Sequence, residues 1–133
     1  MPVCDVAHHY VEYIQERRYD AVGDLWTDDA VFHTPAGTIL HGQAAIRAFY
    51  ARFLKTITPE LQAASFVADE TSRVCVMELK TRMSRDAQGR WTTDPKAPYS
   101  LSAIDRMTIA PDGRIQAMTV YLAPENRWTE EQK

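Results

Sequence analysis

Leu101-Ser102-Ala103-Ile104-Asp105-Arg106-Met107-Thr108-Ile109 is the stretch on which the fold reading turns. Side chains on a strand alternate between faces. Leu101, Ala103, Asp105, Met107 and Ile109 therefore share one face, and Asp105 is its sole ionisable group. A carboxyl on an apolar face must be protonated, paired or functional. Working outward, Arg73–Met83 and Arg114–Ala123 flank this strand with strand-like patterns, and Ala110-Pro111-Asp112-Gly113 reads as a hairpin turn. Leu61–Asp69 adds a further strand, closed by the turn Asp69-Glu70-Thr71-Ser72. Between Met83 and Tyr99 lies a long polar connection, Ser84–Pro98.

The N-terminal half is helical in pattern. Val3, Val6, Ala7, Tyr10, Tyr13 and Ile14 recur at helical spacing over Val3–Arg18. A second short helix fits Tyr19–Trp26. Asp28-Asp29 then leads into a strand, Ala30–Thr34; Pro35-Ala36-Gly37 turns the chain, and Thr38–His41 returns. Gly42 opens a third helix, Gln43–Leu54, with Ala45, Ile46, Phe49, Tyr50 and Phe53 on one stripe. Helices first and strands after give an α+β class. Three helices over a curved mixed or antiparallel sheet enclose a pocket suited to a small ligand.

Composition narrows the function classes. The 133 residues fit one core, and the net charge of −3 is spread along the chain. No basic patch points to nucleic acid, and no apolar run suits a membrane span. Met1-Pro2-Val3-Cys4-Asp5 carries no secretory pattern, so a cytoplasmic location is expected. Cys4 and Cys75 cannot build a disulfide framework. Cys75 reads as a small core residue. The cysteines and the four histidines show no metal-ligand spacing. No glycine-rich phosphate loop is present, so no cofactor is expected.

Several segments resemble one family in the same order. His9-Tyr10-Val11, Trp26-Thr27-Asp28-Asp29-Ala30-Val31, His41-Gly42-Gln43-Ala44-Ala45-Ile46-Arg47-Ala48-Phe49-Tyr50, Ile104-Asp105-Arg106-Met107, Gly113–Met118 and Pro124-Glu125-Asn126 are similar to the ketosteroid isomerase branch of the NTF2-like (SnoaL-like) superfamily. The resemblance implies an NTF2-like cone over residues 1–126 and a polar tail at 127–133. It also implies a tyrosine and a protonated aspartic acid that donate hydrogen bonds to a substrate carbonyl oxygen. The ketosteroid isomerase aspartic acid is itself a worked example of a carboxyl kept neutral by an apolar site. Tyr10 and Asp105 match those two donors. Trp26 stands where one isomerase has a supporting tyrosine, and Tyr50 keeps a second.

The position of the isomerase base falls on Thr34, and threonine is no general base near neutral pH. His9 or His33 has the right ordinary pKa to replace it. His33 faces away in a regular strand, and His9 lies about 100° around the helix from Tyr10. Asp94 from the long connection is a third option, and no base at all is the fourth. Either histidine also fits a surface position. Tyr10 alone fits plain core as well as a pocket hydroxyl, and Asp105 in a shifted register would be an ordinary surface carboxylate.

Phe32 and Thr34 share a face, with Val31 and His33 opposite. Met77, Met83, Met107 and Met118 recur on strand faces and suit the cone interior. The expected lining is Thr34, Trp26, Tyr50, Phe32, Ala103, Met107, Met118 and Leu122. Trp91 and Tyr99 fit an aromatic lid or a dimer contact equally.

The expected function is an isomerase, dehydratase or cyclase-type lyase acting on a small hydrophobic carbonyl compound: a steroid, polyketide or aromatic ketone. The alternatives are a non-catalytic ligand-binding domain and a dimerisation domain. An epoxide hydrolase would need an Asp–Arg–Asp set on one water, whereas Asp105 and Arg106 point to opposite faces. The outer sheet face, carrying Ile104 and Tyr121, is expected by family analogy to pair two subunits.

Overall fold

A computed structural model describes residues 2–56, 60–89 and 91–123, with the side chains of 54–56, 83, 85 and 91 outside the description. Pro124-Glu125-Asn126 and the tail at 127–133 lie outside the described residues.

Helix α1 spans Asp5–Gln15 and buries Val6, Ala7, Tyr10, Val11 and Ile14, one continuous helical face. Helix α2 is one and a half turns, Tyr19–Asp24. Strands β1 (Trp26–His33) and β2 (Ile39–His41) form the first hairpin. Helix α3 follows over Gln43–Thr56. Gly42, at φ +92, makes the turn into α3 while its N–H donates to the Ala30 carbonyl at 2.7 Å. Arg47 clamps α3 to α2, donating to the Asp20 carbonyl and to Asp24 Oδ1, each at 2.6 Å.

The remaining strands are β3 (Leu61–Asp69), β4 (Val74–Thr81), β5 (Met83–Arg85), β6 (Trp91–Thr93), β7 (Ser100–Ile109) and β8 (Ile115–Leu122). Six of them make one curved sheet in the order β2-β1-β8-β7-β4-β3. Only β1 and β8 run parallel, so the sheet is mixed. The helices cover its inner face.

Cross-strand rows define that face. One row runs Phe32, Met118, Met107, Cys75; the next runs Val120, Asp105, Met77, Phe66. Met77, Met107 and Met118 are all buried, as expected of interior methionines. The Met83 side chain lies outside the described residues. Ile104, Tyr121 and Val67 face outward and are exposed.

Three expectations need correction. The second helix stops at Asp24, and β1 begins at Trp26, because the last strand captures this segment: Ile115 N–H donates to the Leu25 carbonyl at 2.7 Å, and Trp26 pairs with Ile115. That pairing spans most of the chain and leaves no local signal. The Ser84–Pro98 connection is not all loop, for β5 and β6 pair across a turn in which Gly89 N–H donates to the Asp86 carbonyl. Strands of three residues are too short to show alternation. Leu101 does not continue the face of Ala103. Leu79 pairs with Ala103 but Lys80 pairs with Leu101, so Ser102 is an extra residue that resets the alternation.

Cys75 is fully buried, as a core residue should be, but it is also bonded to Cys4 in a disulfide spanning 71 residues. The bond ties the start of α1 to β4. Beside it, Val3 N–H donates to both carboxylate oxygens of Glu70 at 2.8 and 3.0 Å. Disulfides persist in oxidising compartments and are rare in the cytosol. Closing so long a loop stabilises by about 4 kcal/mol in the chain-entropy account. Reduction, or the Cys4→Ser/Cys75→Ser double variant, is therefore expected to lower the unfolding free energy by that order, read as a fall in the urea midpoint. Alkylation in denaturant without reductant checks the bond itself: two labelled thiols would refute it.

Candidate functional site

Asp105 sits near the middle of β7 and is 1% exposed. Its neighbours in the row, Met77 and Val120, are apolar. It joins no ion pair among the described residues, and its Oδ1 has no hydrogen-bond partner. Burial alone pushes its carboxyl up to about 7. Near neutral pH the group is thus present both as an acid that can donate and as a carboxylate that can accept.

Facing it from the helices are two buried phenols. Tyr10 comes from the buried stripe of α1 and Tyr50 from α3; their hydroxyls are 2.7 Å apart. Burial holds both well above the ordinary tyrosine value, and the nearby Asp105 charge pushes in the same direction. Both are neutral in any physiological range. One O–H donates to the other, so the second O–H is left for a third acceptor.

Aromatic rings wall this space. Phe32 stacks on Tyr50 at 5.7 Å with 3° between planes, and Trp26 lies 5.1 Å from Phe32 and 6.2 Å from Tyr50. Among the described residues, the buried Trp26 Nε1–H has no hydrogen-bond partner. Met107 and Met118 floor the same region, one row deeper than Asp105. Ala103, buried and small, continues the face on the other side of Asp105. Leu122 pairs with Ala103 but is 59% exposed, so it stands at the rim and does not line the interior.

Thr34 lies one residue beyond His33, which pairs with Thr119, and so is level with Val120 and Asp105. Two strand spacings separate it from Asp105, about 10 Å. It is 4% exposed, and its hydroxyl is committed to the turn. Thr34 Oγ1 lies 2.7 Å from Thr38 Oγ1 and accepts from the Thr38 N–H at 3.3 Å. Thr38 escaped the sequence reading, although a second threonine four residues on, across Pro35-Ala36-Gly37, is a readable turn-closing pattern.

Neither histidine offered as a substitute base is buried with Asp105. His9 is exposed and stacks on Tyr13 at 5.8 Å, and His33 is exposed on the outer face beside Thr119. Asp94 accepts from the Lys96 N–H at 2.9 Å, and that turn bond holds its carboxyl below the ordinary value. Tyr99 stacks under the Arg82 guanidinium at 4.5 Å. The side chain of Trp91, its suggested partner in a lid, lies outside the described residues. Arg106 is exposed on the face opposite Asp105. No cluster of three potential metal ligands occurs among the described residues, and no helix among them is long and apolar enough to cross a membrane.

A family model for the SnoaL-like domain matches residues 7–118. The chain belongs to the SnoaL-like family. Among solved structures, the epoxide hydrolase/cyclase-like enzyme SalBIII, studied for pyran ring formation in the polyether salinomycin, superposes with a TM-score of 0.70 at 20% identity over 91% of this chain and 90% of that one. A protein from Kribbella flavida DSM 17836 superposes with a TM-score of 0.66 at 24% identity, covering 89% and 84%. At these identities the likeness is one of fold: the NTF2-like cone expected from the sequence. No curated protein sequence matches the chain.

The raised carboxyl has a consequence for stability. An unfolded aspartate ionises near 3.8, whereas the folded one stays neutral until about 7. Between these values the folded state holds the extra proton, so stability falls as pH rises and the cost is complete above about 7. Three pH units correspond to about 4 kcal/mol. Asp105→Asn is expected to remove most of this slope and to exceed the wild type in urea midpoint at pH 8 but not at pH 4. Parallel pH dependence of the two proteins would refute the buried, unpaired carboxyl.

Proposed function

We propose that the chain binds a small hydrophobic carbonyl compound and stabilises its enolate, with the neutral Asp105 carboxyl and the Tyr10–Tyr50 pair donating to one oxygen. The observation that carries this reading is a buried carboxyl with an unpartnered oxygen facing a hydrogen-bonded pair of buried phenols. Such donors strengthen as negative charge develops on the oxygen, so they favour the enolate over the ground-state carbonyl. Removing one donor of this kind costs about 3–4 kcal/mol of barrier in other enzymes. The Trp26–Phe32–Tyr50 wall suits a flat, apolar substrate body: a steroid, polyketide or aromatic ketone.

The reaction class is an isomerisation, or a dehydratase or cyclase-type step, α to the carbonyl. Thr34 takes the place of the isomerase base, and its hydroxyl is already spent on Thr38. Proton movement at carbon then falls to the substrate itself or to a group not yet assigned. That same commitment of Thr34 favours a second reading, a non-catalytic pocket for hydrophobic ketones and phenols.

One assay separates the two. A β,γ-unsaturated 3-ketosteroid is followed by ultraviolet absorbance with wild type, Asp105→Leu and Thr34→Asp, and each protein is titrated with a planar phenolic steroid. Slow turnover lost in Asp105→Leu and raised in Thr34→Asp is expected. Phenol binding without turnover would select the binding reading. The absence of both binding and turnover would overturn the carbonyl site.

By family analogy the exposed outer face, with Ile104 and Tyr121, pairs two subunits. Sedimentation is expected to give twice the 15.2 kDa chain mass; a monomer would refute it.

A further inference from the structure

Thr81 ends β4 and is 6% exposed, yet among the described residues its hydroxyl has no hydrogen-bond partner. Leaving a buried hydroxyl unpaired is unfavourable, so such a group calls for a partner that the described residues do not supply. Its direction follows from the strand. Cys75, Met77, Leu79 and Thr81 are the buried residues of β4, and those between them are only half-buried. Met77 pairs with Asp105, which puts Thr81 on the same face as the carboxyl.

Spacing follows as well. Four residues separate Met77 from Thr81, about 13 Å along an extended strand. Between the two lies the row of Leu79 and Ala103, both apolar and buried. The bulge at Ser102 keeps Thr81 paired, now with Ser100, so the face continues to the end of the strand.

We propose that Thr81 is a distal subsite, selecting elongated substrates that carry a second hydrogen-bonding oxygen, hydroxyl or carbonyl, roughly 13 Å from the carbonyl held by Asp105. This rests on the carbonyl reading above. The apolar body of the ligand spans Leu79 and Ala103, its reacting end meets Asp105 and the tyrosine pair, and its far oxygen satisfies the Thr81 hydroxyl. Thr81 sets which substrate is held and takes no part in moving the proton.

The test uses two rigid fused-ring phenols of equal length, one bearing a hydroxyl at the end opposite the phenol and one bearing hydrogen there. Both are titrated into the full chain, as wild type, Thr81→Val and Thr81→Ser. The wild type is expected to prefer the hydroxylated phenol by about fivefold, the size of one ordinary hydrogen bond. Thr81→Val should erase that preference, and Thr81→Ser should keep it. Equal binding of the two phenols by the wild type, or a preference that survives in Thr81→Val, overturns the subsite and leaves the carbonyl reading standing. The wild-type comparison decides the matter even if a variant fails to fold. Failure of both phenols to bind the wild type overturns the carbonyl reading, and the subsite falls with it.

Discussion

The burial of one carboxyl without a cation is the constraint around which this fold is arranged. Asp105 has no arginine or lysine opposite it, so its charge is opposed only by desolvation. A group in that state tolerates apolar neighbours and hydrogen-bond donors, and nothing else nearby. Met77, Val120, Met107 and the two phenols meet that condition. The acidic and basic side chains of β7 and its neighbours, Glu78 and Arg106 among them, stand on the other parity. A one-residue slip of β7 would exchange Asp105 for Arg106 on the inner face, so register and site chemistry are fixed by the same pattern.

The tyrosine pair shows how helices complete what the sheet begins. Tyr10 and Tyr50 are forty residues apart and arrive from different helices, each as part of an apolar stripe. Their edge-on ring contact and shared hydrogen bond make α1 and α3 one unit over the sheet. The polar atoms are thus gathered where the two helices and β7 approach one another.

Much of this was legible before the structure. Alternation in Ala103–Ile109 placed Asp105 inside, and helical spacing placed Tyr10, because both signals are local and periodic. The bounds of β3 at Leu61–Asp69 were read without error for the same reason. What escaped depends on distant partners. The start of β1 at Trp26 is set by Ile115, and the bulge at Ser102 is set by packing between strands, so neither leaves a periodic trace. The pairing of Cys4 with Cys75 is of that kind too: two cysteines in a chain this long say nothing of their separation in space. Thr81 was a different omission. Its place after Cys75, Met77 and Leu79 was visible in the alternation, but a threonine at a strand end draws no notice until its hydroxyl is found buried and unpaired.

The position of β8 has a consequence for how the molecule is made. The first strands, β1 and β2, join the rest of the sheet only through β8, which lies between β1 and β7. Trp26 and Phe32 therefore lack their β8 neighbours until Ile115 and Met118 have been synthesised, and have only β2 and α3 beside them before that. Over that interval the nascent chain carries two large apolar side chains with no sheet to cover them. Long-range pairing of this kind slows folding and prolongs exposure to wrong partners. The aromatic cluster of Trp26 and Phe32 is thus among the earliest parts translated and among the last completed.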